Sequence, residues 1–314
     1  MLVEAGSYPF RPVLAVGGGI RTKILTLNTH SLVEENYQQK LEAFTDMIRK
    51  ERPDIIAMQE VNQSTGAARA DKAELAGLVP VPGREIVIRK DNHAMRVANM
   101  LHQAGIACSF TWLPVKLGYG IYDEGMAFLS LDAEITETDA FYISRGQDYK
   151  NWKTRMALGI KTKKTDDWFY TTHMGWWNDE EEPFLAQLEL LNGGLLSRTA
   201  AGRVWLTGDF NSPDAVRGQG YDAIRNLGWQ DTYLLAEQRD EGITVGTVID
   251  GWRDLIEDPS SMKGMRIDYI WCSRKVPVKY SNVVFNGKNG SIVSDHFGII
   301  IETETETENM ERRR

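Results

Sequence analysis

The sequence predicts an α/β (α+β) fold in which two mixed β-sheets pack face to face and helices cover their outer sides. Three observations carry that reading. Apolar runs of strand length outnumber helical patterns, and the helical patterns fall between groups of strands. Several of those strands end in a polar side chain, an arrangement that delivers chemistry to one edge of a sheet.

In chain order, residues 1–22 read as a flexible leader or a cloning remnant. They hold Pro12-Val13-Leu14-Ala15-Val16-Gly17-Gly18-Gly19 but lack a basic start and a long apolar core. A single domain is expected over residues 23–303, because no Pro- or Ser-rich break and no internal repeat divides the chain. It opens on the strand Lys23–Asn28. Leu41, Phe44, Met47 and Ile48 recur at three- and four-residue spacing, which predicts a helix from Glu35 to Lys50, stopped by Pro53. Asp54–Glu60 reads as a second buried strand, and Thr65–Gly83 as a surface excursion. Asn92–Ala104 has a helical pattern, Ser109–Leu113 that of a strand. Gly118–Glu124 reads as a turn-rich loop carrying Tyr119, Tyr122, Asp123 and Glu124.

Met126–Ser130, Phe141–Ser144, Arg155–Thr162 and Trp168–His173 follow as consecutive strands, which predicts antiparallel pairing. Glu181–Leu196 is helical and Val204–Asp209 returns to strand. Tyr221–Asn226 and Asp231–Gln238 are expected as short helices around Trp229. The strands Arg266–Cys272, Val276–Phe285 and Phe297–Ile301 close the fold. Residues 304–314, the end of a Glu-Thr repeat and a basic terminus, read as a flexible tail.

Composition narrows the function classes. A net charge of −8 argues against a protein that grips a long nucleic-acid backbone. It leaves room for a small phosphorylated substrate, because a metal ion inverts the local charge. No apolar run approaches the roughly 18 residues that span a bilayer, so no membrane partner is expected and the cytoplasm is the default location. Cys108 and Cys272 lie far apart and have no C-x-x-C partner; two reduced thiols are expected, with a single disulfide as the alternative.

The functional reading turns on Trp205-Leu206-Thr207-Gly208-Asp209-Phe210-Asn211. A buried strand runs into a glycine, and Asp209 and Asn211, two residues apart, point the same way. Gly208 permits close backbone approach where a ligand would sit. A strand closed by an Asx turn is the bland alternative. Asn28, Glu60 and His173 end other strands. Asp268 lies in the apolar stretch Arg266-Ile267-Asp268-Tyr269-Ile270-Trp271, where a carboxylate requires a cationic or strongly donating partner. Ser294-Asp295-His296-Phe297-Gly298 sets an acid beside an imidazole at the head of the last strand.

The ordered set Asn28, Gln59-Glu60, His173, Gly208-Asp209-Phe210-Asn211, Arg266-Ile267-Asp268-Tyr269 and Ser294-Asp295-His296 resembles the endonuclease/exonuclease/phosphatase superfamily over residues 23–303. Pancreatic deoxyribonuclease, abasic-site endonucleases, neutral sphingomyelinases and inositol polyphosphate 5-phosphatases share that fold. The resemblance implies a four-layer, deoxyribonuclease-like sandwich and hydrolysis of a phosphate ester with a divalent cation, usually Mg²⁺ with Mn²⁺ as the alternative. All-oxygen ligation by few protein groups suits Mg²⁺, and no Cys or multi-His cluster suggests zinc.

By the same resemblance, Glu60 is the principal metal carboxylate, with Asn28 and Asp295 as oxygen ligands or holders of metal-bound water. Asp209 orients and deprotonates the attacking water, and Asn211 donates to a phosphate oxygen. His296, kept cationic by Asp268, faces the phosphoryl oxygens, and His173 makes a second contact. Arg155, in Asn151-Trp152-Lys153-Thr154-Arg155, stands where deoxyribonuclease-like members place a phosphate-contacting arginine; a surface arginine beside an acid is the alternative.

Trp152, Trp176, Trp177 and Trp252 lie in loops or beside motifs, where an indole face packs in the core or on a sugar. Asn28-Thr29-His30-Ser31, Tyr122-Asp123-Glu124-Gly125, His173-Met174-Gly175-Trp176-Trp177 and Gly242-Ile243-Thr244-Val245 look like the bacterial maltose 6′-phosphate phosphatase branch. That likeness implies a small phosphorylated sugar as substrate, with Trp176, Trp177 and Trp252 beside it. A nuclease or phosphodiesterase of the same superfamily is the alternative.

Overall fold

The computed structural model describes residues 20–131, 133–176, 179–246 and 264–305. Its strands are β1 (Ile20–Asn28), β2 (Ile55–Ser64), β3 (Ser109–Gly118), β4 (Tyr122–Ser130), β5 (Ile135–Tyr142), β6 (Met156–Thr162) and β7 (Trp168–His173), then β8 (Val204–Asp209), β9 (Gln230–Asp231), β10 (Ala236–Arg239), β11 (Asp268–Cys272), β12 (Val278–Val284) and β13 (Gly298–Thr305). The helices are α1 (Tyr37–Glu51), α2 (His93–Gln103), α3 (Phe184–Ala201), α4 (Gly220–Asn226) and α5 (Thr232–Leu235).

The strands form two mixed sheets. One has the order β10-β12-β13-β1-β2-β4-β3, the other β5-β6-β7-β8-β11-β9. β1 with β2 and β7 with β8 are parallel pairs, and each is joined by a connection that carries a helix, α1 and α3 respectively. Strand alternation divides the apolar side chains into three layers. Leu25, Leu27, Ile56 and Met58 pack with Leu41, Phe44, Val97 and Leu101 of α1 and α2 on one outside face. Ile24, Ile55, Ala57, Phe128, Leu158, Phe169, Trp205 and Ile270 fill the space between the sheets. Tyr170, Leu206 and Trp271 pack with Leu188 and Leu191 of α3 and Ile224 of α4 on the other outside face. The result is the helix–sheet–sheet–helix sandwich that the sequence predicts. Cys108 and Cys272 are buried free thiols.

Four local expectations change. Only residues 119–121 form the loop between β3 and β4; Tyr122, Asp123 and Glu124 belong to β4 and pair with Gly118, Leu117 and Lys116. The expected strand Phe141–Ser144 is instead Ile135–Tyr142, an edge strand whose exposed Glu and Thr residues disguise it, because only β6 flanks it. Of the expected helix Asp231–Gln238, only Thr232–Leu235 is helical, since Asp231 pairs with β11 and Ala236 onward pairs with β12. The Glu-Thr repeat is strand as far as Thr305, because Arg21 and Thr22 pair with Glu304 and Thr303. Of the expected leader and tail, residues 1–19 and 306–314 lie outside the described residues.

Candidate active site

The alternation that builds the core also assembles the site. Ile24 points between the sheets, so Asn28, four residues along β1, points there too. Phe169 does the same for His173 on β7, Trp205 for Asp209 on β8, and Ile270 for Asp268 on β11. β7 and β8 are parallel with His173 opposite Asp209, and β11 runs antiparallel with Asp268 opposite Asp209. Apolar inner-face residues thus give way to polar ones at one end of both sheets. The Asn28 amide crosses between the sheets and donates to Asp209 Oδ2 at 3.1 Å.

Glu60 reaches the site by a different route. Simple alternation would place it on the helix side with Ile56 and Met58. The register of β2 against β4 slips between Met58 and Val61, and Glu60 adopts φ 50°. That bulge turns the carboxylate toward Asn28, whose amide donates to Glu60 Oε1 at 2.9 Å. His30 and Asn211 also hold positive φ, so left-handed backbone collects around this crevice. Gly208 has φ 128°, and a Cβ there would sit 2.0 Å from the Thr172 carbonyl oxygen. Only glycine lets β8 approach β7 closely enough to present Asp209.

Asp209 is the hub. Its Oδ1 accepts the Asn211 backbone N–H at 2.8 Å, while Oδ2 lies 3.6 Å from His173 Nε2 and 3.7 Å from His296 Nε2. Burial, reinforced by the neighbouring Asp268 charge, pushes the Asp209 carboxyl up to about 7. The two imidazoles differ in charge. Burial alone would neutralise His296, but Asp268, bonded to Nδ1 at 2.9 Å, and Asp209 together hold its proton affinity well above the usual range. Burial and the nearby charges of Arg155 and Lys116 drive His173 well below it. His296 is therefore a cation and His173 a neutral ring with one N–H to donate.

Arg155 is 5 % exposed, which excludes the surface alternative. Its Nη1 donates to the Trp152 carbonyl at 2.7 Å and to the Thr154 carbonyl at 3.1 Å, while its buried Nε has no partner. The Asn211 amide Nδ2 donates to the Met174 carbonyl at 3.0 Å. Asp295 lies within electrostatic reach of Glu60, and its Oδ1 is 3.9 Å from His30 Nδ1. Trp176 is half-buried on the segment after β7; Trp177 and Trp252 lie outside the described residues.

The sequence reading passed over His30, Glu34, Lys116 and, as a strand residue, Glu124. His30 Nδ1 bonds Glu34 Oε1 at 2.7 Å. Burial works against its charge, but this bond and Glu60 raise the ring to about 9. Lys116 pairs with Glu124 at 3.0 Å, both buried. The signal for Lys116 was present: one charge after Trp112-Leu113-Pro114-Val115, the same kind of anomaly that singles out Asp268.

The donor set suits a hard divalent cation. Glu60 and Asp295 offer carboxylate oxygens, Asn28 turns its amide N–H toward Glu60 while its Oδ1 accepts the His30 backbone N–H, and the negative charges of Glu124 and Asp295 add to burial in raising the Glu60 carboxyl. A bound cation would relieve that surplus.

A family model, the Endonuclease/Exonuclease/phosphatase family, matches residues 25–296. Among solved structures, an endonuclease/exonuclease/phosphatase family protein from Leptotrichia buccalis C-1013-b is 32 % identical, with a TM-score of 0.74, covering 90 % of this chain and 99 % of that one. A mannosyl-6-phosphatase from Bacteroides thetaiotaomicron VPI-5482 is 18 % identical, with a TM-score of 0.60 and coverage of 90 % and 99 %. TDP2 from C. elegans is 14 % identical, with a TM-score of 0.57 and coverage of 91 % and 75 %. No curated protein matches the sequence significantly. No helix among the described residues is long and apolar enough to cross a membrane. With a family match running from β1 to His296 and a carboxylate–imidazole crevice at the sheet edge, the chain belongs to the endonuclease/exonuclease/phosphatase family of metal-dependent phosphoester hydrolases.

Proposed function

We propose that this protein hydrolyses a phosphate monoester on a small sugar, with maltose 6′-phosphate as the substrate and Mg²⁺ as the cation. The observation that carries the reading is the gathering of Asn28, Glu60, His173, Asp209 and the Asp268–His296 pair at one edge of the two sheets. The choice of sugar is supported by the loop words that resemble maltose 6′-phosphate phosphatases. A mannosyl-6-phosphatase among the solved structures of this fold is in keeping with it.

Glu60, Asn28 and Asp295 would hold the cation. When bound, it supplies charge that neutralises phosphoryl oxygens and lowers the proton affinity of water. Asp209 accepts the proton of the attacking water as the water oxygen bonds to phosphorus. The phosphorus–oxygen bond to the sugar then breaks, and the leaving oxygen takes a proton from solvent, giving the sugar hydroxyl and inorganic phosphate. Cationic His296, the N–H of His173, the Asn211 amide and Arg155 donate to the phosphoryl oxygens, where charge must be stabilised. Trp176, Trp177 and Trp252 would border the sugar. One domain over residues 23–303 and a cytoplasmic location complete the proposal.

The test is phosphate release across sugar phosphates, with Mg²⁺ and with EDTA, beside intact plasmid and single-stranded DNA. Maltose 6′-phosphate is expected to be the best substrate, with EDTA abolishing turnover. Release from other sugar phosphates but none from maltose 6′-phosphate overturns the choice of sugar, and efficient DNA cleavage overturns the monoesterase reading.

A further inference from the structure

Lys116 sits behind the crevice in a position that strand alternation would deny it. On β3, Phe110 and Trp112 face the helices, and Leu113 and Val115 face the second sheet. The next residue should face the helices. Instead the pairing of β3 with β4 slips between Pro114 and Lys116, so Lys116 lies opposite Glu124. Glu124 shares its face of β4 with Met126 and Phe128, which point between the sheets. This bulge therefore brings an ammonium group inward. Gly125 accommodates it, since a Cβ there would lie 2.1 Å from the Leu113 carbonyl oxygen.

An ammonium group so placed is expensive to desolvate; Glu124 pairs with it directly and Glu60 opposes it from farther off. Lys116, Glu124, Arg155 and His173 line one small cavity, with room for little more than a single oxygen atom. Two basic side chains, Lys116 and Arg155, face one carboxylate on its walls. The buried Arg155 Nε has no partner in the protein, which leaves a donor for an anion. His173, on the same wall, has an N–H to give.

A phosphate monoester near neutral pH carries close to two negative charges and three non-bridging oxygens. A diester has one charge and two such oxygens. We propose that Lys116, acting beside Arg155, is a specificity-determining residue that receives the third non-bridging oxygen of a phosphate monoester dianion. The assignment rests on the phosphomonoesterase reading of the site and extends it, because it supplies a physical basis for choosing monoesters over diesters.

The experiment compares wild type with Lys116→Met, Lys116→Arg and the double variant Lys116→Met/Glu124→Gln. The double variant avoids a lone buried carboxylate. Each is assayed on maltose 6′-phosphate and on bis(p-nitrophenyl) phosphate, titrated with inorganic phosphate by calorimetry, and checked by thermal unfolding. In the Met-containing variants, monoester kcat/KM should fall on the order of 10²-fold, as for removal of one preorganised charge-stabilising donor. The monoester-to-diester ratio should fall at least tenfold and phosphate affinity should weaken, whereas Lys116→Arg should keep the preference. Equal loss on both esters with unchanged phosphate binding, in a variant that melts like wild type, overturns the assignment. If wild type hydrolyses no sugar monoester, the reading of the site fails, and the phosphate titration still decides the role of Lys116: weakened binding upholds it and unchanged binding overturns it.

Discussion

Replacing Asp268 by Asn removes the charge that holds His296 as a cation while leaving its shape. The carboxylate is 1 % exposed and its Oδ2 lies 2.9 Å from His296 Nδ1. At that 2.9 Å separation, two unit charges in an effective dielectric of ~20 attract by about 6 kcal/mol. An energy of that size moves a proton equilibrium by about four pH units. Asp209, 3.7 Å from His296 Nε2, retains part of the attraction, but burial then drives the ring toward neutrality. Asp268→Asn should therefore release the His296 proton near neutral pH and cost turnover on the order of 10²–10³-fold. The assay is phosphate release from pH 5.5 to 9 with saturating Mg²⁺, paired with an NMR titration of the imidazoles. In the variant the His296 resonances should titrate within this range, and activity should decline as pH rises through that midpoint. Turnover within tenfold of wild type, with an unshifted pH profile, would refute the charge-holding role of Asp268.

Other outcomes follow from the same geometry. Wild-type activity should fall as pH drops through about 7, because Asp209 takes up a proton there and ceases to be a base; Asp209→Asn should lose about 10²–10⁴-fold in turnover and this acid limb with it, as steady-state kinetics would record. Gly208→Ala places a Cβ 2.0 Å from the Thr172 carbonyl at φ 128°, so chemical denaturation should show a loss on the order of 1–3 kcal/mol or more. His93, 4 % exposed and bonded to the Tyr37 hydroxyl at 3.0 Å, is lowered by burial to about 3. Its folded-state proton affinity is thus below the ordinary value near 6.5, and the unfolded chain binds the extra proton between those limits. Stability should be lost as pH falls from about 6.5 toward 3, by at most about 5 kcal/mol from this group, and thermal melts of His93→Gln should show a flatter acid limb.

Much of the frame could be read from neighbouring residues. Asn28, His173 and Asp209 each follow an apolar strand, and their shared direction is set by two-residue alternation from Ile24, Phe169 and Trp205. Asp268 announces a partner by standing in an apolar run, and that partner is His296. Elements at the sheet edges were harder to recognise. Exposed Glu and Thr residues hide β5, since an edge strand satisfies its backbone on one side and needs few apolar side chains; alternating Glu and Thr hide the end of β13, which pairs with β1 all the same. Asp231–Gln238 looks helical by local pattern, yet β11 and β12 claim its two ends.

The sequence by itself determined the layered α/β fold, the polar strand ends and the family, because hydrophobic alternation and motif order are properties of the chain. Only the tertiary structure decided that bulges turn Glu60 and Lys116 to the inner face, and that His173, beside the cationic His296, is neutral. A bulge arises from the mismatch between two strands distant in sequence. A buried group's charge follows from loss of water and from neighbours remote in sequence, such as Asn28 and Asp209, 181 positions apart, which no local pattern records.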